Sequence, residues 1–110
     1  MNKIRKLIAY LRYREAVKQA DKAHQETGER YYVMPYGDGK LIIVDRKNFR
    51  SLKNKHYIDH KVKVRDLLAE CFYFTPYRQG NGYIDDVARK VKLESYYSYI
   101  DAVRKTKKKP

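Results

Sequence analysis

The sequence predicts one small α+β domain: a β-hairpin, with room for a third short strand, packed among four to five helices. Three observations carry this. Two runs rich in β-branched and aromatic residues, 30–34 and 40–44, flank Tyr36-Gly37-Asp38-Gly39. Asp-Gly favours a tight hairpin turn because both central positions need positive φ. Long proline-free stretches on either side repeat apolar residues at helical spacing. Finally, the chain has 110 residues, 43% of them hydrophobic, which is the size and composition of one ordinary domain spanning 1–110.

The first element is a helix over 3–27, stopped by Gly28, the residue type that most readily takes the left-handed turn after a helix. Its apolar stripe changes phase. At about 100° per residue, Ile4, Leu7, Ile8 and Leu11 share one face, while Tyr13, Ala16, Val17, Ala20, Ala23 and His24 lie nearly opposite. A straight helix cannot bury both faces in one small core. Either it bends near Arg12, or its first turns project. Lys3, Arg5, Lys6 and Arg12 make residues 1–12 a basic amphipathic segment, suited to a partner groove, to self-association or to an anionic membrane surface. Packing elsewhere on the same fold is the plainer alternative.

In the hairpin, 41–44 is apolar without alternation, which implies cover on both faces of the sheet. Helices from both ends of the chain are the expected cover. Asp45 then caps a short helix over 46–54 whose apolar side is Phe49 and Leu52. The alternation at 61–64 suits a short third strand. Residues 65–74 read as a buried helix through Leu67, Leu68, Cys71 and Phe72, ended by Pro76. A loop follows at 77–82. From 83 to 105 the pattern is helical but changes phase again, predicting two helices broken near 92–95. The end, 105–110, reads as a flexible basic tail.

Charge is the main functional signal. Lys and Arg total 26 against 13 Asp and Glu, a formal net charge of +13, and every part of the chain shares the surplus. Such an imbalance speeds encounters with nucleic acid, acidic proteins or anionic surfaces. The densest patch is 46–55, where Arg46, Lys47, Arg50, Lys53 and Lys55 stand without an acid among them. Arg and Lys neutralise phosphates and release counterions, so these five, with Arg78, are the expected nucleic-acid-binding residues. A solvated basic face has the same composition, and Lys53 and Lys55 also suit a helix C-terminus.

Tyrosine is the second signal. There are 12 Tyr, 3 Phe and no Trp, and Tyr stands beside Arg at 10–14, 30–32 and 77–78. Aromatic faces stack unpaired bases, although any single tyrosine is better explained by the core or its rim. The stretch 84–100 has a helix-turn-helix look in its first half, with Ala88 at the crossing and Val87 and Val91 inward. Its second half departs, with Lys92 where the turn favours Gly and no Arg or Asn in 94–99 to read bases. A plain helical pair is the better reading.

Catalytic and metal chemistry are weakly signalled, and the expectation is a non-enzyme with no metal and no cofactor. His56 and His60 have i, i+4 spacing, with Asp59 between and Cys71 beyond, but the segment reads as a turn and no strong fourth ligand is in register. Asp85 and Asp86 are explained by a first helical turn, where acids oppose the macrodipole. The glycine turns at 37 and 80–82 lack the Gly-Lys-Ser/Thr of a phosphate-cradling loop. A lone cysteine excludes a disulfide framework within the sequence. The opening residues lack a secretory signal, and no run approaches the ~20 apolar residues that span a bilayer. Of the partner classes that the charge admits, a membrane surface is the least expected, after nucleic acid and an acidic protein.

The stretches 30–35, 40–50 and Cys71-Phe72-Tyr73-Phe74-Thr75-Pro76 resemble those of small uncharacterised basic proteins of gut-bacterial genomes and their phages or mobile elements. The likeness spans about half of the chain and carries no site residues. It implies a cytoplasmic setting, that of the host cell if the gene is a phage's. The leading expectation is a small nucleic-acid-binding accessory protein for DNA or RNA. The alternative is an interaction module that docks on an acidic host or viral protein, or self-associates, through Ile4, Leu7, Ile8 and Leu11.

Overall fold

The computed structural model describes residues 2–37, 39–55 and 63–107. In chain order these form α1 (Lys3–Thr27), β1 (Tyr32–Pro35), β2 (Leu41–Val44) and α2 (Arg46–Asn54). A 3-10 turn (Val64–Asp66) then runs into α3 (Leu67–Glu70), followed by β3 (Tyr73–Phe74) and α4 (Asp86–Lys107). The strands make one antiparallel sheet in the order β2-β1-β3, with Val33 opposite Ile43 on one side and Tyr73 on the other. The α+β class and the hairpin are as expected.

Side chains alternate across a strand, and both faces of this sheet are covered. Val33 and Tyr73, with Leu41 and Ile43 beside them, pack on one face against Ala9, Tyr13, Ala16, Val17 and Ala20 of α1 and Tyr96 and Tyr97 of α4. Tyr32, Met34 and Val44 pack on the other against Phe49 of α2, Leu67 of α3 and Cys71. Helices from both ends of the chain thus cover one face only; the middle of the chain supplies the second cover. The first cluster is tyrosine-rich: Tyr13 lies 5.9 Å from Tyr96 between ring centroids, and Phe72 lies 5.3 Å from Tyr96. Each buried hydroxyl finds an acceptor, Tyr13 on the Phe72 carbonyl at 2.7 Å and Tyr96 on that of Gly39 at 3.3 Å.

The helix ends follow local chemistry. Asn2 Oδ1 accepts from the Arg5 amide at 2.9 Å, and Gly28 closes α1 at φ 77° with its amide on the His24 carbonyl. Asp85 Oδ1 accepts from the Ala88 amide at 2.7 Å, so the acidic pair at 85–86 serves the start of α4. α1 is continuous through Arg12, and its first turns project: Ile4 is 73% and Leu7 58% exposed.

Several expectations are corrected. α4 is a single helix through 92–95, so there is no helix-turn-helix in 84–100. Nothing in Lys92-Leu93-Glu94-Ser95 breaks a helix, and the phase change is met by leaving Val87 and Val91 exposed. The residues that would enter a major groove include Tyr96 and Tyr97, which are buried. The helix continues through Lys107, beyond the expected start of the tail at 105. The buried helix over 65–74 is only one α-turn, Leu67–Glu70, with Leu68 exposed. Beyond it Cys71 is extended, and the aromatic run Phe72-Tyr73-Phe74, well suited to a strand, pairs with the free side of β1. The third strand is therefore there, whereas Val64 begins the 3-10 turn. His56, Asp59, His60, Lys61 and Val62 lie outside the described residues.

Candidate nucleic-acid interface

α2 is set by one anchor and one cap. Phe49 is fully buried against the sheet, and Asp45 Oδ1 accepts from the Asn48 amide at 2.7 Å. With Phe49 inward, Arg46, Lys47 and Arg50 are exposed. The positive end of the helix macrodipole coincides with Arg46 and Lys47, where cations oppose helix stability. Their placement thus has no explanation in α2 itself. Lys53 and Lys55 sit at the other end, where cations complement the dipole.

The first three line one groove of about 650 Å³, together with Gly28, Glu29, Arg30, Asp45, Tyr77, Arg78 and Gln79. Of the six expected phosphate-binding residues, four converge here: Arg46, Lys47, Arg50 and Arg78. Lys53, half-buried, and Lys55, exposed, are not part of the lining. Five cationic side chains face two acids, and each acid has a local task. Asp45 caps α2, and Glu29 accepts from Arg78 Nη2 at 3.1 Å.

Arg78 also reaches the Thr27 carbonyl at 3.2 Å, so it completes the C-terminal end of α1. A side chain at Gly28 would stand 2.9 Å from Arg78 Nε, so the glycine provides both the positive φ and the space. These contacts use one nitrogen of a group with five N–H donors, and the Arg78 side chain stays 67% exposed.

Arg30 forms the base of the groove. It is 9% exposed, yet among the described residues no carboxylate holds it. Its Nε donates to the Thr75 carbonyl at 2.8 Å and its Nη2 to the Gly82 carbonyl. Its guanidinium lies over the rings of Tyr77, 3.9 Å from the centroid, and Phe74, at 4.7 Å. The charge is thus solvated by carbonyls and π-faces, and the 75–82 loop is tied to the start of β1. Arg30, Tyr77 and Gln79 are the groove residues that sequence reasoning did not select. The Tyr–Arg neighbours at 30–31 and 77–78 were the local hints; contact between Arg30 and Tyr77 crosses 47 positions.

Five other tyrosines serve the core: Tyr13, Tyr32, Tyr73, Tyr96 and Tyr97 are buried, whereas Tyr10 and Tyr83 are exposed. Burial pushes the Tyr13 hydroxyl up to about 12, only partly opposed by Arg89. Tyr73 rises further, through burial and then its hydrogen bond to Asp21.

A second cationic concavity runs between α1 and α4, with Arg14, Lys18, Lys22 and Arg89 against Glu15 and Asp21; no aromatic ring lines it. The expected partner stripe Ile4, Leu7, Ile8 and Leu11 is exposed along its whole length. Ile8 and Leu11 also line a mostly apolar groove of about 610 Å³ that reaches Leu41. Among the described residues, no group of three or more His, Cys, Asp or Glu could hold a metal ion, and no helix is long and apolar enough to cross a membrane. Comparison with family models, with curated proteins and with solved structures returned no match.

Proposed function

We propose that this chain is a small non-catalytic nucleic-acid-binding accessory protein, and that its contact surface is the groove between α2 and the 77–79 loop. One observation carries the reading. Cations from three separate chain segments, Arg30, Arg46-Lys47-Arg50 and Arg78, converge on a single concavity. At least two of them are placed there against the preference of their own helix. Clustered cations at a concave surface focus positive potential on an approaching phosphate chain.

The test is a salt-titrated binding assay with DNA and RNA. The triple variant Arg46→Glu, Lys47→Glu, Arg50→Glu is compared with a charge-matched one, Arg14→Glu, Lys18→Glu, Lys22→Glu. Four phosphate contacts predict a slope of log affinity against log salt of about −3 to −4. The groove triple should abolish binding at moderate salt, and the charge-matched triple should retain most of it. Equal losses from both would mean a diffuse charge effect and remove the groove from the reading.

A second reading rests on the exposed stripe Ile4, Leu7, Ile8 and Leu11. The basic residues beside it, Lys3, Arg5, Lys6 and Arg12, favour an acidic protein surface over a second copy of the same helix. Under this reading, Leu7→Ser with Leu11→Ser abolishes partner recovery and leaves nucleic-acid affinity alone. Unchanged recovery and sedimentation in that variant would count against it.

A further inference from the structure

We infer that the groove accepts an unpaired nucleic-acid strand in preference to a duplex, with a base seated on Tyr77 and the flanking phosphates on Arg46, Lys47, Arg50 and Arg78. This rests on the nucleic-acid reading above and narrows its ligand.

Shape is the first argument. Proteins that read duplex DNA insert a projecting helix or ribbon into a major groove about 12 Å wide. α2 does not project in that way: Phe49 is fully buried, and Arg46, Lys47 and Arg50 line a hollow. A duplex is convex and meets only the rim of a concavity of about 650 Å³. A single nucleotide is small enough to enter it.

The second argument is the ring. Tyr77 is 38% exposed and supplies the aromatic ring of the groove lining. An exposed aromatic among cations is the arrangement by which single-strand binders hold base and backbone together. A duplex, with its bases already stacked, has no use for such a ring. Gln79, beside it in the lining, carries an amide able both to donate to and to accept from a base edge.

Preorganisation is the third. The Arg30 guanidinium backs the ring at 3.9 Å. Gly82 packs so closely that a Cβ there would come within 2.9 Å of Tyr77 Cδ2 and 3.0 Å of Arg30 Nη2. The Tyr77 amide donates to the Asn81 carbonyl at 2.9 Å, and Gly80 donates back to the Tyr77 carbonyl at 2.8 Å. Thr75 joins the loop to Tyr31 in both directions, at 2.8 and 2.9 Å. A ring held this way loses little side-chain freedom when a base settles on it.

The experiment compares short oligouridylate and oligothymidylate with duplexes of the same length, on the full chain. Single strands should bind more tightly. Tyr77→Ala should weaken single-strand binding about 5- to 150-fold with little change for duplex, and Tyr77→Phe should restore it. Because Tyr77→Ala also removes support from Arg30, ultraviolet crosslinking of bromouridine-substituted strand to the unaltered protein provides a second readout, with the adduct expected at Tyr77. Equal affinity for duplex, or an adduct mapped away from 75–82, overturns the strand inference and leaves the nucleic-acid reading standing. Binding to neither form overturns both.

Discussion

The guanidinium carbon of Arg30 sits 3.9 Å from the centroid of the Tyr77 ring, and a Gly82 without a side chain lets both approach. This stack joins Arg30, two residues before β1, to the loop after β3, and so builds one wall of the groove. Arg30 is also hydrogen-bonded to two loop carbonyls. Replacing it with Met should cost about 2–3 kcal/mol, the scale of hydrogen bonds from a charged group. Lys, a point charge without a planar fork, should not rescue it. Thermal melts of the two variants check this, and a stable Arg30→Lys would contradict the stacking role.

Gly28 links the helix end to Arg78. Gly28→Ala must place a Cβ at φ 77° and 2.9 Å from Arg78 Nε. We expect a loss of about 1–2 kcal/mol from the left-handed backbone, together with weaker nucleic-acid binding as Arg78 is displaced. Denaturant titration measures the first and the binding assay the second. Unchanged stability would show that the chain passes this point differently.

Two apolar residues should behave oppositely. Phe49→Ala empties a fully buried site and should cost about 3–5 kcal/mol, detaching α2 and the groove with it. Ile4→Ser, on a residue 73% exposed, should stay within about 0.5 kcal/mol. Chemical denaturation of both variants decides the matter; a costly Ile4→Ser would mean that the N-terminal stripe is covered in solution.

Alkali should unfold the protein through its tyrosines. Burial raises the Tyr13 hydroxyl from 10.0 to about 12 and lifts Tyr73 as well. Below pH 10 both residues are protonated in the folded and unfolded chains alike, and their contribution is complete. Above it the unfolded chain gives up its protons first, so stability falls as pH rises toward 12 and beyond. Tyrosinate absorbance from the buried rings should therefore appear together with the loss of helical circular dichroism. Ionisation of every tyrosine near its ordinary pKa, with the helices intact, would refute this.

Cys71 should resist thiol reagents. Burial pushes its thiol up despite the opposing charge of Lys92, and Sγ donates to the Leu68 carbonyl at 3.4 Å. Maleimide labelling at neutral pH should be slow in the native protein and rapid in denaturant, because only the thiolate reacts. Fast native labelling would show that the α2–α3 face opens readily.

Local signals in the sequence were sufficient for the hairpin, the Asp45-capped α2 with Phe49 inward, the Gly28 stop and the two-sided cover of 41–44. Each depends on neighbours within a few positions, where backbone preference and side-chain period dominate. The same locality misled at 65–74 and 92–95. There the outcome turned on a free strand edge at β1 and on whether a partner existed for each apolar stripe, and neither is written in the local period.

The candidate site divides along the same line. The sequence by itself determined that cations outnumber acids twofold and that 46–55 contains no acid. Only the tertiary structure decided that Arg46, Lys47 and Arg50 meet Arg78 across a groove floored by Arg30, while Lys53 and Lys55 are left aside. Charge is a property of composition, but convergence requires segments tens of residues apart to be packed on one sheet. That packing is fixed by which faces of α1, α2 and α4 find apolar cover.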